Sequence, residues 1–96
     1  MFTLTIPTDI LQKIIEASHR SVGMKEKLKR LETNPLSEAV KTNIPAIGNY
    51  YVNAGNRYCL LFDVDETKQT VYIYDAVLSA YLYKVLTGRI SPKTKH

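Results

Sequence analysis

The sequence predicts an α+β domain in the order β-α-α-β-β-β-α, a helical hairpin packed on a mainly antiparallel four-stranded sheet. Three observations carry this. Apolar residues recur at helical spacing between Ile10 and Leu31, the period changes to two from Gly48 onward, and turn residues separate the alternating runs.

Residues 2–6 alternate loosely and predict a first strand, which Pro7 stops. Asp9 offers an N-cap for the helix that follows, with Gln12 as a partial capping box. Ile10, Leu11, Ile14 and Ile15 at helical spacing imply one buried face. Gly23 breaks this helix. Met24, Leu28 and Leu31 mark a second, which Asn34-Pro35 ends. Residues 36–47 show no period and predict a connection. Tyr50, Val52 and Ala54 then share one face of a strand, and Ala54-Gly55-Asn56 is a turn. Tyr58, Leu60, Phe62 and Val64 line one face of the next strand. A polar loop at 65–69 leads to a last strand over roughly 70–77, with Val71, Ile73, Asp75 and Val77 on one side. The second and third strands are expected at the sheet's centre. Leu78, Tyr81, Leu82, Val85 and Leu86 fit a closing helix with Gly88 as its C′ residue. The reading gives one domain over residues 1–90 and a disordered tail over 91–96.

Composition narrows the function classes. Of 96 residues 45% are hydrophobic and spread along the chain, which excludes a disordered protein. No apolar run approaches the ~20 residues of a membrane span. The first residues lack a basic lead and a long apolar stretch, so no secretory signal is expected. Cys59 is the single cysteine, which rules out an internal disulfide. These points give a cytoplasmic expectation. Thirteen Lys and Arg oppose nine Asp and Glu, and no acid follows Asp75. Two basic clusters stand out, Lys25, Lys27, Lys29 and Arg30 in the second helix, and Lys84, Arg89, Lys93 and Lys95 at the end. Each is either a solvated surface or a footprint for RNA, DNA or an acidic protein.

Several chemistries are set aside. One cysteine with His19 and His96 cannot by itself build a zinc site. No phosphate-binding glycine loop, dinucleotide fingerprint or serine elbow occurs. His19 reads as a surface residue and Cys59 as a small buried hydrophobe.

Seven tyrosines remain, and tryptophan is absent. Most suit a half-buried pleated surface. Tyr81 and Tyr83, where the last strand gives way to the basic end, are the candidates for stacking on exposed bases. Arg57 opens a central strand directly after a turn. It is either ion-paired with an acid such as Asp75 or a phosphate clamp, for which its fork geometry suits it.

Leu31-Glu32-Thr33-Asn34-Pro35, Gly55-Asn56-Arg57-Tyr58 running into Cys59-Leu60-Leu61-Phe62, and the Val64-Asp65-Glu66 hairpin together resemble the RelE/ParE superfamily of toxins from type II toxin–antitoxin pairs. The resemblance covers about residues 2–86. It implies a cytoplasmic toxin held inactive by a cognate antitoxin in a hetero-oligomer. In the RelE branch it implies an endoribonuclease that cuts messenger RNA on the ribosome and needs no metal or other cofactor. The RNA 2′-hydroxyl attacks the adjacent phosphate, Arg and Lys stabilise the charge, and a side chain such as Tyr moves protons. By position, Arg57 matches the phosphate-stabilising arginine, Tyr81 or Tyr83 the C-terminal tyrosine, and Lys41 a basic residue before the second strand. Lys84, Arg89, Lys25 and Lys29 are then RNA-binding candidates.

The sequence departs from that pattern at the charge-stabilising positions. Tyr51 and Asn53 stand where further arginines are common, and Leu78-Ser79-Ala80 has no positive charge. Two other readings therefore stay open. One is a ParE-like toxin that binds DNA gyrase without cutting RNA. The other is a decayed member that binds only its antitoxin.

Overall fold

A computed structural model describes residues 1–91 of the chain. Its elements are β1 (Thr3–Thr5), α1 (Thr8–Arg20), α2 (Gly23–Thr33), β2 (Val40–Lys41), a 3-10 turn at Pro45–Ile47, β3 (Tyr50–Asn53), β4 (Tyr58–Asp65), β5 (Thr70–Leu78) and α3 (Ser79–Leu86). The architecture is α+β, with a mixed five-stranded sheet in the order β1-β5-β4-β3-β2. The tail expected at 91–96 lies, beyond Ser91, outside the described residues. No helix among the described residues is long and apolar enough to cross a membrane.

The sheet separates two cores. On one face Leu60, Phe62, Val71, Ile73 and Ala76 pack with Ile10, Ile14, Ala17, Met24 and Leu31 of the helical hairpin. On the other, Cys59 and Leu61 pack with Ile47 and with Leu82 and Val85 of α3. β4 is therefore covered on both sides, and Cys59, Leu60, Leu61 and Phe62 are all buried. Full burial of each large side chain stabilises by about 1.5–3 kcal/mol before entropic costs. The hairpin lies on the side of Tyr58, Leu60 and Phe62, as the alternation predicts.

Five expectations need correction. The sheet has five strands rather than four, because β2 lies within the stretch read as a connection; its pairings are antiparallel except that β1 runs parallel to β5. Two residues are too few to show a period. β4 is the central strand, with β5 and β3 beside it, so the third expected strand is central and the second has only the short β2 outside it.

The expected face of β5 holds only through Ile73. The register shifts from Phe62↔Ile73 to Leu61↔Asp75, leaving Tyr74 as the extra residue of a bulge. Beyond it Ala76 faces the hairpin core, while Val77 packs with α3.

Asp9 does not cap α1, which starts at Thr8 after Pro7 without a side-chain cap. Asp9 instead sits in the first turn, where a carboxylate favours the positive helix end. Finally, α1 buries Ile10, Ile14 and Ala17, but Leu11 and Ile15 are each 42% exposed. The buried stripe is narrower than the apolar pattern.

Two glycines fix how the hairpin meets the sheet. A Cβ on Gly23, at the start of α2, would lie 2.7 Å from the Gly55 Cα. Gly55 has φ +97°, and a Cβ there would lie 1.7 Å from the Ser21 Oγ. The α1–α2 corner thus touches the β3–β4 turn backbone to backbone, an approach only glycine permits.

Replacing Gly55 with Ala is expected to cost about 2–4 kcal/mol through combined strain and clash. Gly88→Ala, at φ +77° but with nothing within 4 Å, should cost only about 1 kcal/mol. Urea unfolding of the two variants measures the difference.

Candidate nucleic-acid interface

The turn before β4 is closed by the Ala54 N–H donating to the Tyr58 carbonyl at 2.8 Å. Arg57 follows that turn, and its carbonyl accepts the Ser79 N–H at 2.7 Å. That bond joins the start of β4 to the first residue of α3. It brings Arg57 to the end of the sheet at which α3 starts. Arg57 is exposed. Its sequence-level alternative, an ion pair with Asp75, is not formed: Asp75 pairs with Lys13 of α1.

Burial of Leu82 and Val85 anchors α3, which fixes where its polar residues stand. Tyr81 is half-buried, while Tyr83 is 61% exposed. Two residues apart on a helix, they face different directions and cannot serve one site. α3 ends in a Schellman motif. Gly88 N–H donates to the Val85 carbonyl at 3.1 Å and Arg89 N–H to the Lys84 carbonyl at 2.9 Å. This holds the Arg89 backbone against that of Lys84, and both side chains are exposed.

The remaining candidates lie elsewhere. Lys41 is on β2, at the sheet edge farthest from β1 and separated from β5 by β3 and β4. Lys25 and Lys29 are exposed on α2, in the layer across the sheet from α3. The structure therefore joins Arg57 to the start of α3, which carries Tyr81 in its first turn and Lys84 in its last, with Arg89 beyond its end. It does not bring Lys41, Lys25 or Lys29 to them.

Two clefts flank β5 near Tyr81. One, of 480 Å³, runs between α1 and the end of β5, lined by Lys13, Glu16, Arg20, Tyr58, Leu78 and Tyr81 among others. The second, of 340 Å³, lies between the start of α1 and the 3-10 turn and shares Asp75, Val77 and Tyr81 with the first. Lys13, Arg20 and Tyr58 were not singled out from sequence. Lys13, Glu16, Ala17 and Arg20 stand at i, i+3, i+4 and i+7, so their common face was readable. That this face meets the end of β5 was not.

Other polar groups are structural. The Cys59 thiol lies 3.3 Å from the Asn53 Oδ1 and 3.4 Å from the Ser79 hydroxyl. Burial pushes its pKa up, with the Ser79 hydrogen bond opposing. It is a small buried side chain, not an activated nucleophile. Buried Thr42 donates its hydroxyl to the Gly48 carbonyl at 2.6 Å and accepts the Ile44 N–H, folding the loop that carries Ile47 into the α3-side core. Asp63 accepts the Asn49 N–H at 2.7 Å. It also accepts the Tyr74 phenol, which that hydrogen bond, then burial, pushes up to about 12.

Chemically, Arg57 offers a cation suited to phosphate, and the chain that follows its bonded neighbour Ser79 carries Tyr81 and two further cations. Among the described residues no group of three or more His, Cys, Asp or Glu is placed to hold a metal ion. His19 is exposed on α1, and His96 lies outside the described residues. No protein-family model, curated protein or solved structure matches the chain.

The Tyr74 phenol should titrate near pH 12 by ultraviolet absorbance, returning toward 10 in Asp63→Asn. Because its folded pKa is raised, the stability it contributes is complete below about pH 10 and lost as pH rises from there through about 12. A Tyr74 titration unchanged by Asp63→Asn would refute this assignment.

Proposed function

We propose that this chain is the toxin component of a RelE-like type II toxin–antitoxin pair and acts on RNA through the Arg57 end of its sheet. One observation carries this reading. The Arg57 carbonyl holds the Ser79 N–H, so the guanidinium-bearing turn adjoins the start of α3, which opens the acid-free end of the chain that carries Lys84 and Arg89. The expected partners are a cognate antitoxin and, for activity, the ribosome with its messenger RNA.

The chemistry that fits is metal-free cleavage. The RNA 2′-hydroxyl attacks the neighbouring phosphorus, a 2′,3′-cyclic phosphate forms, and the 5′-oxygen of the next nucleotide leaves. Arg57 stabilises charge on the phosphate oxygens, and Lys84 adds positive potential. Solvent water takes the proton of the attacking 2′-hydroxyl, and Tyr81 passes a proton to the leaving oxygen and regains one from solvent. The cation-poor positions set the expected rate. Ser79 is engaged with Cys59 and with the Arg57 backbone, and supplies no positive charge. Each missing preorganised donor costs about 10²–10³ in rate, so slow turnover is expected.

That same deficit favours a second reading, a ParE-like toxin that binds DNA gyrase and cuts nothing. A binding surface does not need a complete set of charge-stabilising donors.

Incubation with translating ribosomes should produce new messenger RNA ends, and Arg57→Ala should reduce their rate about a hundredfold or more. Absence of new ends from the wild-type protein, with inhibition of gyrase supercoiling, would replace the first reading with the second.

RNA affinity should fall steeply with salt, because binding that neutralises phosphates releases counterions. A log–log slope that Lys84→Ala and Arg89→Ala leave unchanged would show that these cations stay clear of the RNA backbone.

A further inference from the structure

We infer that the cleft between α1 and the end of β5 binds one nucleotide unit of single-stranded RNA, with Arg20 meeting its phosphate and Tyr58 and Tyr81 flanking its base. The inference rests on the reading of this chain as an RNA-acting protein. It assigns a role to Arg20, Tyr58 and the Lys13–Asp75 pair, which that reading leaves without one.

The volume of 480 Å³ falls in the range of small-ligand clefts, about 300–1,000 Å³. Its lining divides by chemistry. Ala17, Ala76 and Val77 give an apolar floor, and Tyr58 and Tyr81 bring aromatic rings from two elements. Aromatic faces beside a cation are what an unpaired base and its phosphate require. Lys13 and Asp75 neutralise each other. Among the described residues Arg20 enters no ion pair, even with Glu16 one helical turn before it. Its fork-shaped guanidinium is thus available to a phosphate, which it can hold through two parallel bonds.

Asp75 adds a polar feature suited to a base. Its Oδ1 takes the bonds from Lys13 and from the Ala76 N–H, the latter at 2.8 Å. Oδ2 takes part in neither and can accept an exocyclic amine. The same bond disfavours an extended peptide as occupant, because an added strand would find the Ala76 N–H already engaged.

Position links the cleft to the proposed reaction. Tyr58 follows Arg57 in the chain, and Leu78 precedes Ser79, which is bonded to the Arg57 carbonyl. An RNA strand that rounds this end of the sheet, with one phosphate at Arg57, would set a neighbouring nucleotide in the cleft, which Arg57 itself does not line. The cleft would then select that nucleotide, making Arg20 and Tyr58 binding residues, while Arg57 acts on the phosphate.

The absence of tryptophan lets tyrosine emission report binding directly. The wild-type protein, without ribosomes, is titrated at low salt with tetraribonucleotides of each base, and amide shifts are mapped in parallel by nuclear magnetic resonance. The expected result is quenching, with shifts at Arg20, Tyr58 and Asp75–Leu78 but not at Lys25 or Lys29. Arg20→Ala and Tyr58→Leu should each weaken binding roughly tenfold, and Thr67→Ala, in the exposed loop between β4 and β5 at the opposite end of the sheet, should leave it unchanged. Wild-type shift mapping keeps the test decisive if Tyr58→Leu does not fold. Binding whose shifts avoid the cleft, or that Arg20→Ala leaves intact in a folded protein, overturns the inference while leaving the RNA reading standing. Shifts centred on β5 with an unrelated extended peptide but none with RNA overturn it as well. Cleft binding without messenger RNA cleavage on the ribosome supports the inference and removes the ribonuclease reading. No RNA binding with or without ribosomes removes both.

Discussion

The arrangement depends on β4 being buried on both faces. Leu60 and Phe62 commit one face to the helical hairpin, and Cys59 and Leu61 commit the other to α3 and the 3-10 turn. A strand that is apolar on successive residues cannot sit at a solvent-facing surface, so it needs two covering layers. The short α3 and the loop pinned by Thr42 supply the second layer, and the first residue of α3 is bonded to the Arg57 carbonyl. Fold and candidate site thus share one cause: the α3-side cover exists because Cys59 and Leu61 must be hidden.

The fold was legible where a periodic signal was long. The helical pair, the β3–β4 turn, the loop after Asp65 and the Gly88 stop all follow from spacing and turn chemistry. Where the chain departed from the sequence reading, the cause was local. β2 has two residues, too few to alternate. The Tyr74 bulge moves Val77 to the opposite face, and nothing in the alternation of Val71, Ile73, Asp75 and Val77 announces it. Leu11 and Ile15 match the helical period as well as Ile10 and Ile14 do, yet the layer beneath α1 covers only one stripe.

The candidate site was less legible, because sequence names residue types and topology decides which of them meet. Arg57 lies beside the first residue of α3, since β5 leads directly into that helix, and Tyr81, Lys84 and Arg89 follow along it and past its end. Lys25 and Lys29 fall on the other side of the sheet and Lys41 on its far edge. Their charge still contributes to the long-range potential of this basic chain, but not to a shared pocket. Conversely, the cleft residues Lys13, Arg20 and Tyr58 are ordinary in sequence. They gain interest only when α1 is laid across the end of β5.

β1 pairs with β5 only from Thr70 to Tyr72, so the rest of β5 has a strand neighbour on one side alone. Such a border ordinarily invites another molecule's backbone to join it. Here the kink at Tyr74 and the Asp75 carboxylate on the Ala76 amide blunt that invitation. The acid therefore acts against aggregation as well as within the domain, and its removal would show first in the solubility of concentrated protein.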